Sequence, residues 1–140
     1  AGNLDVCMSA PNRLLSNYLG LGFVNASKPN KMLGADIVVG FGPTSASHQP
    51  VIKAMWSNDT TGYPGAPSTL TLSKGSWTYH SGTMEVCFTR PIKGGHAPLT
   101  GAVIWASGNS TGAVPGGDIG YHGFGPQFRS DETPLVPWMS

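Results

Sequence analysis

The sequence predicts an all-β protein, a sandwich of short antiparallel strands. Glycine (20) and proline (12) make up more than a fifth of the 140 residues, and together with frequent Ser and Thr they favour turns over helices. No apolar repeat of helical period is sustained beyond two turns. Short apolar runs recur instead between clusters of Gly, Pro, Asn and Ser, which is the spacing expected of a sandwich.

The strand candidates in chain order are Tyr18 to Asn25, Ala35 to Phe41, Val51 to Trp56, Ser68 to Leu72, Ser76 to His80, Thr83 to Pro91 and Gly101 to Ser107. Thr83 to Pro91 is the clearest. Met84, Val86 and Phe88 fall on one side and Glu85, Cys87 and Thr89 on the other, the period of two of a half-buried strand. Leu14 and Leu15 open at most one helical turn. From Gly108 to Gly125 the chain carries seven glycines, too many for regular sheet, and this stretch reads as a long functional loop. Pro134 to Ser140, with Pro134 and Pro137, reads as a linker or terminus. The whole is expected to be one domain, residues 1–140, with a core of its own.

Composition excludes several function classes. Charged residues are 11% and the formal net charge is +1, so there is no basic footprint for nucleic acid. No run approaches the ~20 apolar residues needed to cross a bilayer, so direct membrane insertion is not expected. Cys87 is followed by Phe88-Thr89-Arg90, not by the closely spaced His and Met of a blue-copper site. Residue 1 is Ala, not the N-terminal His of a secreted copper monooxygenase. No Gly-x-Ser-x-Gly elbow is present. Asp36, Asp118, Asp131 and Glu132 form no recognisable catalytic pair, and no enzymatic activity is expected of the chain alone.

Several features point to the secretory route and a secreted or extracellular location. Asn25, Asn58 and Asn109 open N-x-[ST] sequons and are glycosylation candidates. Ala1 in place of Met suits signal-peptide removal, although a cut from a longer chain gives the same start. The two cysteines, Cys7 and Cys87, form an even count that points to one disulfide between Leu4-Asp5-Val6-Cys7-Met8 and the strand Thr83 to Pro91. Two buried free thiols are the competing reading.

Four stretches carry a family resemblance by their order: Lys31-Met32-Leu33-Gly34-Ala35-Asp36-Ile37-Val38-Val39-Gly40-Phe41, then Met84-Glu85-Val86-Cys87-Phe88-Thr89-Arg90-Pro91-Ile92, then Val103-Ile104-Trp105-Ala106-Ser107-Gly108, and last the glycine-rich Gly120-Tyr121-His122-Gly123-Phe124-Gly125-Pro126. From about Cys7 to about Ser130 the chain resembles the haem-binding DOMON domains, a family that includes the cytochrome domain of fungal cellobiose dehydrogenase. The resemblance implies an immunoglobulin-like antiparallel β-sandwich that holds haem at one end. It also implies electron transfer with a redox partner such as a flavin dehydrogenase or a transmembrane b-type cytochrome.

On that resemblance Met32 and His122 are the axial ligands of the haem iron. A thioether and an imidazole close both faces of the iron, which suits electron transfer and leaves no open position for oxygen chemistry. There is no Cys-x-x-Cys-His motif, so the haem is expected to be of b-type and non-covalent. Tyr121 and Phe124 are assigned to its faces and Arg129 to a propionate, through a charge-assisted bond. Met55 is the next choice if Met32 is not the ligand, while Met8 and Met84 read as core. His48, His80 and His96 lie beside turn residues and are expected to be exposed. The alternative is a haem-free DOMON or carbohydrate-binding sandwich, in which Trp56, Tyr63, Trp77 and Tyr79 form an aromatic platform; for Trp56 and Trp77 a place in the core is the stronger reading.

Overall fold

The computed structural model describes residues 2–24, 34–42, 49–57, 66–97, 99, 102–110, 119–122 and 133–134. They form ten strands: β1 (Asn3–Ala10), β2 (Asn17–Phe23), β3 (Asp36–Phe41), β4 (Val51–Trp56), β5 (Ala66–Pro67), β6 (Ser73–His80), β7 (Thr83–Pro91), β8 (Ala102–Ser110), β9 (Ile119–His122) and β10 (Thr133–Pro134). Two antiparallel sheets result. The small one has the order β1-β7-β6, and the large one runs β10-β8-β2-β3-β4-β5 with β9 also on β8. The expected all-β sandwich is the observed fold.

The alternation of β3 assembles the layers. Val38 is fully buried with Phe23, Val6 and Phe88, and so packs between the sheets. Ile37, Val39 and Phe41 point the other way, into a second cluster with Tyr18, Ala35 and Met55. Both faces of this strand are therefore covered, which explains its unbroken apolar run. In β7, Met84, Val86 and Phe88 are all buried between the sheets, as their spacing predicts. Ser81 and Gly82, both at positive φ, make the two-residue turn that joins β6 to β7.

Four sequence expectations need correction. Ser68 to Leu72 is not a strand: Leu70 N donates to Ser68 Oγ (3.1 Å), a local bond that turns the chain, and the paired residues are Ala66 and Pro67. Gly108 to Gly125 is not wholly loop, because β8 continues to Ser110 along β2 and β9 returns beside it. Pro134 is not linker; it pairs with Ala102 on the sheet edge, where a missing N–H is tolerated. The N-terminal segment, taken only as a tether for Cys7, is a strand paired along its length with β7. Leu14 and Leu15 lie in an exposed turn, where Asn17 N donates to Leu14 O (2.9 Å).

Cys7 and Cys87 face each other across the β1–β7 ladder and form a disulfide. Closing a loop of 80 residues contributes about 4 kcal/mol in the chain-entropy model. Mass analysis without reductant should therefore show no alkylatable thiol, and Cys7→Ser with Cys87→Ser should lower unfolding stability by about that amount in urea. Two reactive thiols in the denatured, unreduced protein would reject the bridge.

Candidate functional site

The most unusual chemistry among the described residues gathers around Asp36. This carboxylate opens β3 inside an otherwise apolar run and is fully buried. Burying it is tolerable only with partners. Ser68 Oγ donates to Oδ1 (2.7 Å), and the successive amides of His96 and Ala97 both donate to Oδ2 (2.7 Å each). Gly95 delivers those amides at φ +79°, and a Cβ there would lie 2.6 Å from Asp36 Oδ2, so the position requires glycine.

Arg90, at the end of β7, is the charge that faces this carboxylate. It too is fully buried. Its guanidinium lies over the Phe23 ring at 4.4 Å, and it donates from Nε to Pro91 O (2.9 Å) and from Nη2 to Gly94 O (3.5 Å). Burial lowers its pKa from the ordinary arginine value, and the Asp36 charge acts in the opposite direction.

Trp56 pairs with Asp36 across the β3–β4 ladder, and the His96 imidazole stacks on its indole with ring centroids 3.7 Å apart and planes within 8°. The expected exposure of His96 is therefore wrong. The amide bond to Asp36 and the stack fold its ring inward, and His80 is the exposed histidine among the described residues. The sequence showed a signal that went unused: a lone carboxylate in a buried strand, an arginine closing another, and Gly94-Gly95 between them.

Met32 lies outside the described residues, as do Phe124, Arg129, Tyr63, Asn25 and Asn58. Tyr121 and His122 lie in β9, and Asn109 lies in β8 opposite Asn17. His122 pairs with Gly108, and that register continues through Tyr18 to Phe41, the last residue of β3. Gly34, two residues beyond Met32, donates its amide to Ser57 O (2.7 Å) at the other end of the sheet. The five steps from Val103 to Gly108 alone span about 17 Å. His122 therefore lies at the end of the large sheet opposite Gly34.

Between those ends lies a buried apolar cluster. Tyr18, Ala35, Ile37, Val39, Phe41 and Met55 form it, with Val51 and Ala106 at its margin. It is the face of the large sheet turned away from the small sheet. Met55, the alternative thioether, is buried within it. The aromatic platform of the haem-free alternative is not assembled: Trp56 stacks on His96 in the large sheet, whereas Trp77 and Tyr79 lie on β6 in the small one. Tyr79 Oη donates to Arg13 O (2.7 Å), and the Trp77 ring fills the space over Gly42.

No protein-family profile matches the chain, and no curated protein matches it. Among solved structures it is similar to the cytochrome domain of Myriococcum thermophilum cellobiose dehydrogenase, with a TM-score of 0.52 at 9% sequence identity over 79% of this chain. The fold is cytochrome-domain-like. The match spans 56% of that chain, and at such low identity the likeness is one of architecture.

Removing the carboxylate should destabilise the fold strongly. Asp36→Ala leaves two amides and Ser68 Oγ without their acceptor and Arg90 without its facing charge, and should cost about 3 kcal/mol or more in urea unfolding. Ser68→Ala removes one bond and should cost about 1 kcal/mol. Equal effects of the two substitutions would refute the central role given to Asp36.

Proposed function

We propose that this chain is an electron-transfer domain that binds one b-type haem non-covalently, with Met32 and His122 as its axial ligands. The observation that carries the reading is the cytochrome-domain-like fold in a chain whose Met and His stretches resemble those of haem-binding DOMON domains. When bound, the haem supplies a one-electron centre that is coordinatively closed to substrate.

The chain's own residues have distinct tasks in this reading. The face built from Tyr18, Ile37, Val39, Phe41 and Met55 excludes water from one side of the group. Tyr121 and Phe124 add aromatic surface, and Arg129 donates to a carboxylate. Gly120, Gly123 and Gly125 let the backbone approach closely. The register sets a stringent condition: the Met32 and His122 connections must converge over the apolar face from opposite ends. The partner is a redox protein, either a flavin dehydrogenase, as the cellobiose dehydrogenase name of the structural neighbour suggests, or a transmembrane b-type cytochrome. The disulfide suits an oxidising, extracellular setting, and among the described residues no helix is long and apolar enough to cross a membrane.

An absorption spectrum of the protein purified with haem supplied tests the reading. It should show a low-spin, six-coordinate b-type haem. His122→Ala should lose most of the haem, Met32→Ala should retain some in a high-spin form, and Met32→His should be low-spin with a lower potential. The domain alone should oxidise no sugar. A colourless protein would defeat the proposal. Loss of the spectrum in His96→Ala, but not in His122→Ala, would transfer the imidazole role to the Gly34 end of the sheet.

A further inference from the structure

Three buried polar atoms at the Asp36 corner have no hydrogen-bond partner: Trp56 Nε1, Arg90 Nη1 and His96 Nε2. Their proximity follows from the connections already described. Trp56 is opposite Asp36 in the ladder, and His96 stacks on Trp56. Arg90 acts electrostatically on Asp36 and reaches Gly94, two residues before His96. It is fully buried. Native proteins leave few such groups unsatisfied, and each costs about 1–3 kcal/mol.

The donor set defines what would satisfy it. An indole N–H and a guanidinium N–H donate and never accept, so the missing partner must present acceptor oxygens. Asp36 does not fill that role: it accepts from Ser68, His96 and Ala97, while Trp56 Nε1 and Arg90 Nη1 have no partner. The Arg90 hydrogen bonds go to neutral carbonyls, so its charge is balanced only at a distance. We propose that this corner is a binding site for a carboxylate or similarly small oxyanion, held by Arg90 and Trp56 with His96 completing the shell. Such a carboxylate has two sources, a free anion or the acid arm of a larger ligand such as the haem proposed above. The site itself does not depend on haem.

Titration of the haem-free chain with acetate or inorganic phosphate, in a buffer otherwise free of oxyanions, tests the site. Expected are a saturable change in tryptophan fluorescence and a rise in Tm. Trp56→Phe, which keeps the stack and removes the N–H, should weaken binding roughly tenfold. Lys74→Ala, at an exposed position of β6, should bind as the parent does. If haem loading abolishes anion binding, the acid arm of haem occupies the site; if binding persists, the occupant is a free anion, and both results uphold it. No saturable binding by the parent chain, unchanged binding in Trp56→Phe, or a high-resolution crystal structure with only water at these three atoms in the presence of the anions would overturn the proposal.

Discussion

A buried carboxylate holds the two sheets in register at one end of the sandwich. Asp36 belongs to the large sheet, and the amides it grips follow β7 of the small sheet, so the carboxylate spans the layer boundary that the apolar core only fills. Apolar packing is tolerant of sliding, whereas two charge-assisted bonds from successive amides fix position and direction together. The His96–Trp56 stack, the turn at Gly95 and the course of the chain toward β8 all follow from that grip.

What the sequence disclosed and what it hid differ for physical reasons. The period of two in Met84, Val86 and Phe88 reflects one buried face, and the structure buries those residues as read. The Cys7–Cys87 bridge followed from counting, though its placement directly across a ladder did not, because a cysteine count carries no information on which strands pair. β9 was concealed by glycines, which weaken strand propensity without forbidding pairing once β8 offers an edge. The Asp36 corner was hidden most deeply: its partners are 32, 60 and 61 residues away in sequence, and two of them are backbone amides that no residue type reveals.

The ligand residues are a different case. Met32 and His122 were named from a resemblance in short stretches, and the fold agrees with that resemblance at the level of architecture. The strand register adds a constraint that the sequence did not show: His122 lies level with the last residue of β3, at the opposite end of the large sheet from Gly34.

The disulfide divides the chain in a way that bears on its integrity outside a cell. Residues 7 to 87 form a covalent ring, and everything after Cys87, including β8, β9 and β10, is attached to that ring by one peptide continuation and by strand pairing. A protease that nicks the ring once leaves both pieces tied together, with the sheets still able to hold their places. A nick just beyond Arg90 severs the one covalent connection to the part that bears His122, leaving it held by the β2–β8 ladder, the grip of Asp36 on the His96 and Ala97 amides and the Trp56–His96 stack. The molecule is thus armoured against cleavage over its first ninety residues and vulnerable at the passage between its two sheets.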